Sequence, residues 1–160
     1  MNDDPTREAR LATVADRHEL ARLLHDFNTE FDTPTPGAEV LAHRLGHLLA
    51  DDRTFAMIAG SPAVGMGLVT LRPNVWYDGQ VALLDELYVV PELRSHGIGT
   101  AMIDLLVRTC RARGVDLIEI NVDEADVDAQ RFYERHGFNG IEPDTGDRAF
   151  YYHQELTPEA

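Results

Sequence analysis

Polar and apolar residues alternate over 10–14, a period of two that predicts a first strand, and Asp16 follows where it can cap a helix. Leu20, Leu23, Leu24 and Phe27 then recur at the i, i+3, i+4, i+7 spacing of a helix with one face on a core. Pro34 and Pro36 break the pattern over 28–37, a loop suited to the substrate side, and a second helix is expected over 38–50 with Leu41, Leu45 and Leu48 inward. Strand-like runs at 54–59 and 64–71 are joined through Gly60-Ser61-Pro62 and read as a hairpin. After a longer connection over 72–80 that carries Trp76 and Tyr77, residues 81–90 form an apolar run interrupted by Asp85 and Glu86 and closed by Pro91.

The second half changes period. Ile98, Met102, Leu105 and Leu106 mark a helix over 97–113, ended by Arg111, Arg113 and Gly114. A strand is expected over 115–122, a helix over 126–136 with Ala129, Phe132 and Tyr133 on related faces and Gly137 as its stop, and a last strand over 148–156. Hairpins followed by strand–helix alternation predict an α/β chain with a mixed sheet, antiparallel in its first half and with a parallel crossover near the middle.

Composition narrows the chemistry. The chain has 160 residues, the size of one domain spanning 1–160, with its core at about 8–156. All 14 basic residues are arginine, which excludes a Walker A loop, Schiff-base chemistry and a lysine base. Cys110 stands alone, so no intramolecular disulfide framework or cysteine-rich zinc site is expected, and a reducing compartment fits. The acidic start is no secretory signal, and no apolar run approaches the ~20 residues that span a bilayer, so the expected location is cytoplasmic. A net charge of −14 disfavours nucleic acid and anionic membranes and favours cationic small molecules.

The most informative stretch runs from Val89 to Thr100, where a strand ends, a turn follows and a helix opens with Gly97 and Gly99 at alternate positions. Such glycines let the backbone approach an anion, and the first N–H groups of the helix point outward at its positive end. Arg94 adds a full charge beside the loop. The sequence Leu87-Tyr88-Val89-Val90-Pro91-Glu92-Leu93-Arg94-Ser95-His96-Gly97-Ile98-Gly99-Thr100, followed by Asp126-Val127-Asp128-Ala129-Gln130-Arg131-Phe132-Tyr133-Glu134-Arg135-His136-Gly137-Phe138, resembles the GNAT superfamily of acyl-CoA-dependent N-acetyltransferases. The order of elements agrees over nearly the whole chain.

The resemblance implies a single-domain GNAT fold: a mixed, mostly antiparallel sheet with a splayed parallel strand pair, flanked by about four helices. It implies acetyl-CoA as co-substrate and no metal. The backbone of Leu87, Tyr88 and Val89 would hold the pantetheine arm like an added strand. The pyrophosphate would sit on the amides of His96, Gly97, Ile98, Gly99 and Thr100, with Arg94 and Ser95 in the loop, and Asp126 and Ala129 would open the second CoA-contacting helix. Where the family usually has asparagine this chain has Asp126, which can accept a hydrogen bond or cap the helix but lacks an amide donor. Tyr133 matches the tyrosine that protonates the departing thiolate. A homodimer of the kind common in the family is also implied.

An alkyl amine of pKa ~10.4 is almost wholly protonated at neutral pH, and exposing its lone pair costs about 4–5 kcal/mol, so a base or water relay is useful. As neighbours on a strand, Asp85 and Glu86 are expected to point to opposite faces, with Glu86 favoured as base. The segment also resembles the spermidine/spermine N-acetyltransferase branch, in which Trp76-Tyr77 precedes the acidic pair and Asp85 takes the base position. Trp76, Tyr77 and Tyr88 suit either a cation-binding wall or core or dimer contacts. His43 and His47, at i and i+4 with no third ligand, read as a solvated helix face, and Cys110 as packing. The expected activity is transfer of the acetyl group to a primary amine of a small, cationic acceptor in a ternary complex. The alternatives are a noncatalytic acyl-CoA-binding or sensory module, and an acetyltransferase for peptide or protein amines.

Overall fold

The computed structural model describes residues 8–156. By internal contacts the chain falls into two compact units, one ending at Ile120 and the next beginning at Asn121.

The first unit is a five-stranded sheet in the order β1 (Ala9–Leu11), β2 (Thr54–Ala59), β3 (Gly65–Pro73), β4 (Gln80–Val89) and β5 (Val115–Ile120). The first four are antiparallel neighbours, and β4 and β5 run parallel. Helices α1 (Arg17–Glu30) and α2 (Ala38–Leu48) precede β2, and α3 (Ile98–Ala112) makes the crossover from β4 to β5. The second unit holds α4 (Val127–Arg135). This is the predicted mixed α/β architecture with four helices. No helix among the described residues is long and apolar enough to cross a membrane.

Both faces of the sheet are covered, which is why β2 is buried at every position. On one face the α1 stripe of Leu20, Leu23 and Leu24, with Leu41, Ala42 and Leu45 of α2, packs on Ala56, Ile58, Met66, Leu68 and Tyr88. On the other lies α3: a Cβ built on Gly65 would meet Met102 Sδ at 3.0 Å and Ile98 Cγ2 at 3.3 Å, so only glycine lets the helix seat there. Removing the side chain of Leu20, Leu23 or Leu106, each fully buried, costs about 2–5 kcal/mol.

Four expectations need correction. The first strand stops at Leu11 because a 3₁₀ turn over Val14–Asp16 intervenes. Asp16 does sit at the N-cap of α1, but its carboxylate turns back to accept from Thr13 N at 2.8 Å and from both Arg10 Nη atoms at 2.9 and 2.8 Å instead of capping the helix. Helix α2 ends at Leu48, whose side chain is exposed rather than inward, since the chain must turn to enter β2. No strand forms over 148–156: those residues find no ladder partner, and alternation without a partner does not make a strand.

Candidate active site

Strand β4 carries the acidic pair. Its pairing with β3 slips between Leu68 and Val69: Leu68 faces Glu86 and Val69 faces Leu84, leaving Asp85 as the extra residue of a β-bulge. The bulge overturns the expectation that Asp85 and Glu86 point to opposite faces. Glu86 lies across from Leu68, whose side chain belongs to the face covered by α1 and α2. Thr70, two residues along β3 and so on that face too, donates its hydroxyl to Asp85 Oδ2 at 2.6 Å. Two neighbouring carboxylates therefore share one face. Burial pushes the half-buried Glu86 carboxyl up to about 7, with the charge of Asp85 adding to the rise. Burial also raises Asp85, against the Thr70 hydrogen bond, which favours its charged form.

Just before the pair, β4 loses its parallel partner. The β4–β5 register ends at Leu84 opposite Ile120, while β4 continues to Val89. Val90 N donates to Val64 O at 2.9 Å on the β3 side, so the alternation of the backbone turns Val89 and Leu87 to the open side and Tyr88 toward β3. The three residues predicted to hold an extended arm by their backbones thus divide, with Leu87 and Val89 presenting the open edge.

A 3₁₀ turn, Pro91–Leu93, then leads into the start of α3. Ser95 and Gly97 both have positive φ, 64° and 88°, which folds the segment into a loop around the helix N-terminus. The space where a Gly97 Cβ would point is open, with no atom within 4 Å. Ala101 is the residue that donates back to Gly97 O, at 3.0 Å, so the N–H groups of Ile98 and Gly99 lie at the open N-terminal end of the helix. His96 Nδ1 lies 2.7 Å from Arg94 O, which folds its ring back on the loop. An open strand edge followed by a glycine-bearing turn at a helix N-terminus fits an extended arm ending in phosphates.

Arg94 is not held ready as a loose cation. Its Nε donates to Val89 O at 2.9 Å, and its two Nη atoms donate to Glu30 Oε1 and Oε2, each at 2.7 Å. Its guanidinium stands 5.5 Å from the centroid of the Tyr88 ring. Tyr88 stacks on Phe27 at 5.0 Å, and burial, with its hydrogen bond to the Glu30 carboxylate, raises its hydroxyl to about 12. Sequence reasoning missed Glu30 and Thr70. The Phe27–Glu30 spacing on α1 is visible, but nothing local ties it to an arginine 64 positions later.

In the second unit, Asp126 caps α4 by accepting from Ala129 N at 3.0 Å, which commits both side chain and amide. The Tyr133 ring meets Phe132 and Phe138 edge-on, at 5.2 and 5.6 Å, and Phe138 N donates to Tyr133 O at 3.1 Å behind the left-handed Gly137. The remaining candidates do not converge. Trp76 is 85% exposed at the tip of the β3–β4 loop, whereas Tyr88 is buried in the core. The rings of His43 and His47 meet edge to face at 4.7 Å on the exposed side of α2. No group of three metal-ligand residues occurs among the described residues. Burial raises the Cys110 thiol to about 11, which leaves it inert.

Residues 17–138 match the model of the acetyltransferase (GNAT) family. Among curated proteins, the chain is 37% identical over 59 residues to the uncharacterized N-acetyltransferase MJ1207 of Methanocaldococcus jannaschii, covering 37% of this chain and 26% of that protein. It is 32% identical over 74 residues to the mycothiol acetyltransferase of Beutenbergia cavernae, covering 44% of this chain and 25% of that one. The matched segments thus span about a quarter of the length of these relatives. The solved structure of a putative acetyltransferase from Arthrobacter sp. FB24 superimposes with a TM-score of 0.89 at 47% identity, covering 98% of this chain and all of that one.

Proposed function

Since this chain belongs to the acetyltransferase (GNAT) family, we propose that it transfers an acetyl group from acetyl-CoA to the primary amine of a small cationic acceptor, with both substrates bound at once. The observation that carries this reading is the Asp85–Glu86 pair on one face of β4, next to an open strand edge that ends in a glycine-bearing turn.

The residues divide the work. The backbone groups of Leu87 and Val89 would hold the pantetheine arm, and the amides from His96 to Thr100 the diphosphate. Bound acetyl-CoA supplies an activated acetyl thioester. Asp85 and Glu86 attract the acceptor as an ammonium ion, and Glu86 takes its proton. A carboxylate near 7 lowers that uphill transfer by roughly 2–4 kcal/mol relative to one at ~4.3, which is what a base for an amine needs. Tyr133 is the proton donor to the leaving sulfur. The net charge of −14 supports a cationic acceptor.

Titration calorimetry with acetyl-CoA, beside dephospho-CoA and ATP, tests the donor half. Saturable binding of one acetyl-CoA per chain, with ATP failing to compete, is expected. An absence of heat from folded protein refutes the assignment. Acetyl-CoA-dependent release of thiol in the presence of polyamines or aminoglycosides, but not of neutral alcohols, tests the acceptor half.

A further inference from the structure

The Glu30–Arg94 contact is a bidentate ion pair, and the same guanidinium also serves a carbonyl on the open edge of β4. Arg94 has five N–H donors in a fixed fork. One from Nε goes to Val89 O at 2.9 Å, and one from each Nη goes to a Glu30 oxygen at 2.7 Å. The plane is held from below by the Tyr88 ring, which is itself stacked on Phe27 in the last turns of α1. Glu30 is the last residue of α1, so the helix that bounds one face of the sheet ends on the turn that opens α3.

Two consequences follow for an extended ligand on β4. Val89 O, the last carbonyl of the open edge, already accepts from Arg94, so an added strand pairs with Leu87 and with the Val89 N–H and meets the guanidinium at that carbonyl. The positive charge of Arg94 is also opposed by a carboxylate in direct contact, which leaves the backbone amides of the turn as the main anion-binding groups.

Building on the acetyl-CoA reading, we propose that Glu30 is a positioning residue for the acyl donor: by holding Arg94 on Val89 O, it fixes where the pantetheine arm ends and the diphosphate begins. Arg94 then acts on the donor through the β4 edge rather than by meeting the phosphates.

The sign of one substitution separates this from the alternative in which Arg94 binds phosphate and Glu30 merely competes for it. Glu30→Gln is expected to weaken acetyl-CoA binding about fivefold by calorimetry. It should weaken S-acetylpantetheine, which has no phosphates, by a similar factor in a chemical-shift titration. Arg94→Lys keeps a charge for phosphates but cannot serve Glu30 as a fork while bonding Val89, so it should behave like Glu30→Gln. The double variant should bind no more weakly than Arg94→Lys alone. Tighter acetyl-CoA binding by Glu30→Gln, an effect confined to the phosphate-bearing donor, or full affinity in Arg94→Lys would each overturn the proposal. Because Arg94→Lys is read independently, failure of Glu30→Gln to fold leaves the test intact. If the unsubstituted protein binds neither donor, the acetyl-CoA reading fails first and this one with it.

Discussion

The Thr70 hydroxyl donates to the Asp85 carboxylate at 2.6 Å across a bulge in β4, and this bond keeps Asp85 on the sheet face that carries Glu86. Placing two acids on one face raises the proton affinity of the more buried one, and the pH dependence of the reaction should report it.

The rate at low acceptor concentration, kcat/KM, should rise with pH through about 7 as Glu86 loses its proton, since only the carboxylate can act as base. Glu86→Gln should remove this limb and lower kcat by about 10²-fold. Asp85→Asn removes the neighbouring negative charge, so the limb should move to lower pH. An unmoved limb in Asp85→Asn, measured by pH–rate profiles at fixed ionic strength, would show that the two carboxyls do not interact.

Stability should carry the same signature with a defined sign. The folded-state pKa of Glu86, about 7, lies above its ordinary 4.5, so the folded protein holds a proton that the unfolded chain has lost. The corresponding stabilisation is full below pH 4.5 and is lost as pH rises through about 7. Glu86→Gln should therefore gain about 1 kcal/mol on the unsubstituted protein between pH 5 and pH 8 in paired denaturant titrations, since solvent around the half-buried carboxyl screens the rest.

Tyr133→Phe should lower kcat by about 10²-fold and leave acetyl-CoA affinity unchanged, because the ring contacts with Phe132 and Phe138 survive while the proton is lost. Equal loss of turnover and donor affinity, by calorimetry beside steady-state kinetics, would argue for a packing role.

Two glycines should fail for different reasons. A Cβ on Gly79 would collide with the Gly114 carbonyl and lie 2.6 Å from Asp116 Oδ2, the atom that accepts from Gly79 N. Gly79→Ala should cost about 2–4 kcal/mol. Gly97→Ala meets no atom but must hold a φ of 88°, which costs about 1 kcal/mol. Urea unfolding midpoints would rank them.

How much of this was legible in the chain depends on whether the cause was local. The stripe of Leu20, Leu23 and Leu24 and the breaks at Pro91 and Gly114 are properties of neighbouring residues, and the helices and strands they predict are present. The turn from Arg94 to Gly97 was visible because its glycine is needed at that one φ. The ends of elements were less readable: Asp16 has a cap-like position, but Arg10 and Thr13 compete for its carboxylate. The bulge was hidden because Leu84, Asp85 and Glu86 alternate on paper whatever their register with β3. Glu30 was hidden because its partner is distant in sequence.

That bulge also gives the chain an unusual response to length changes. On β4 the even-numbered Leu84 and the odd-numbered Leu87 look to the same side, because Asp85 shifts the count by one between them. Removing Asp85 would restore an unbroken ladder, yet the Thr70 contact would disappear with it and Glu86 would stand alone. A one-codon deletion here would therefore be tolerated by the scaffold and felt by the chemistry, the opposite of what deletions within strands usually do.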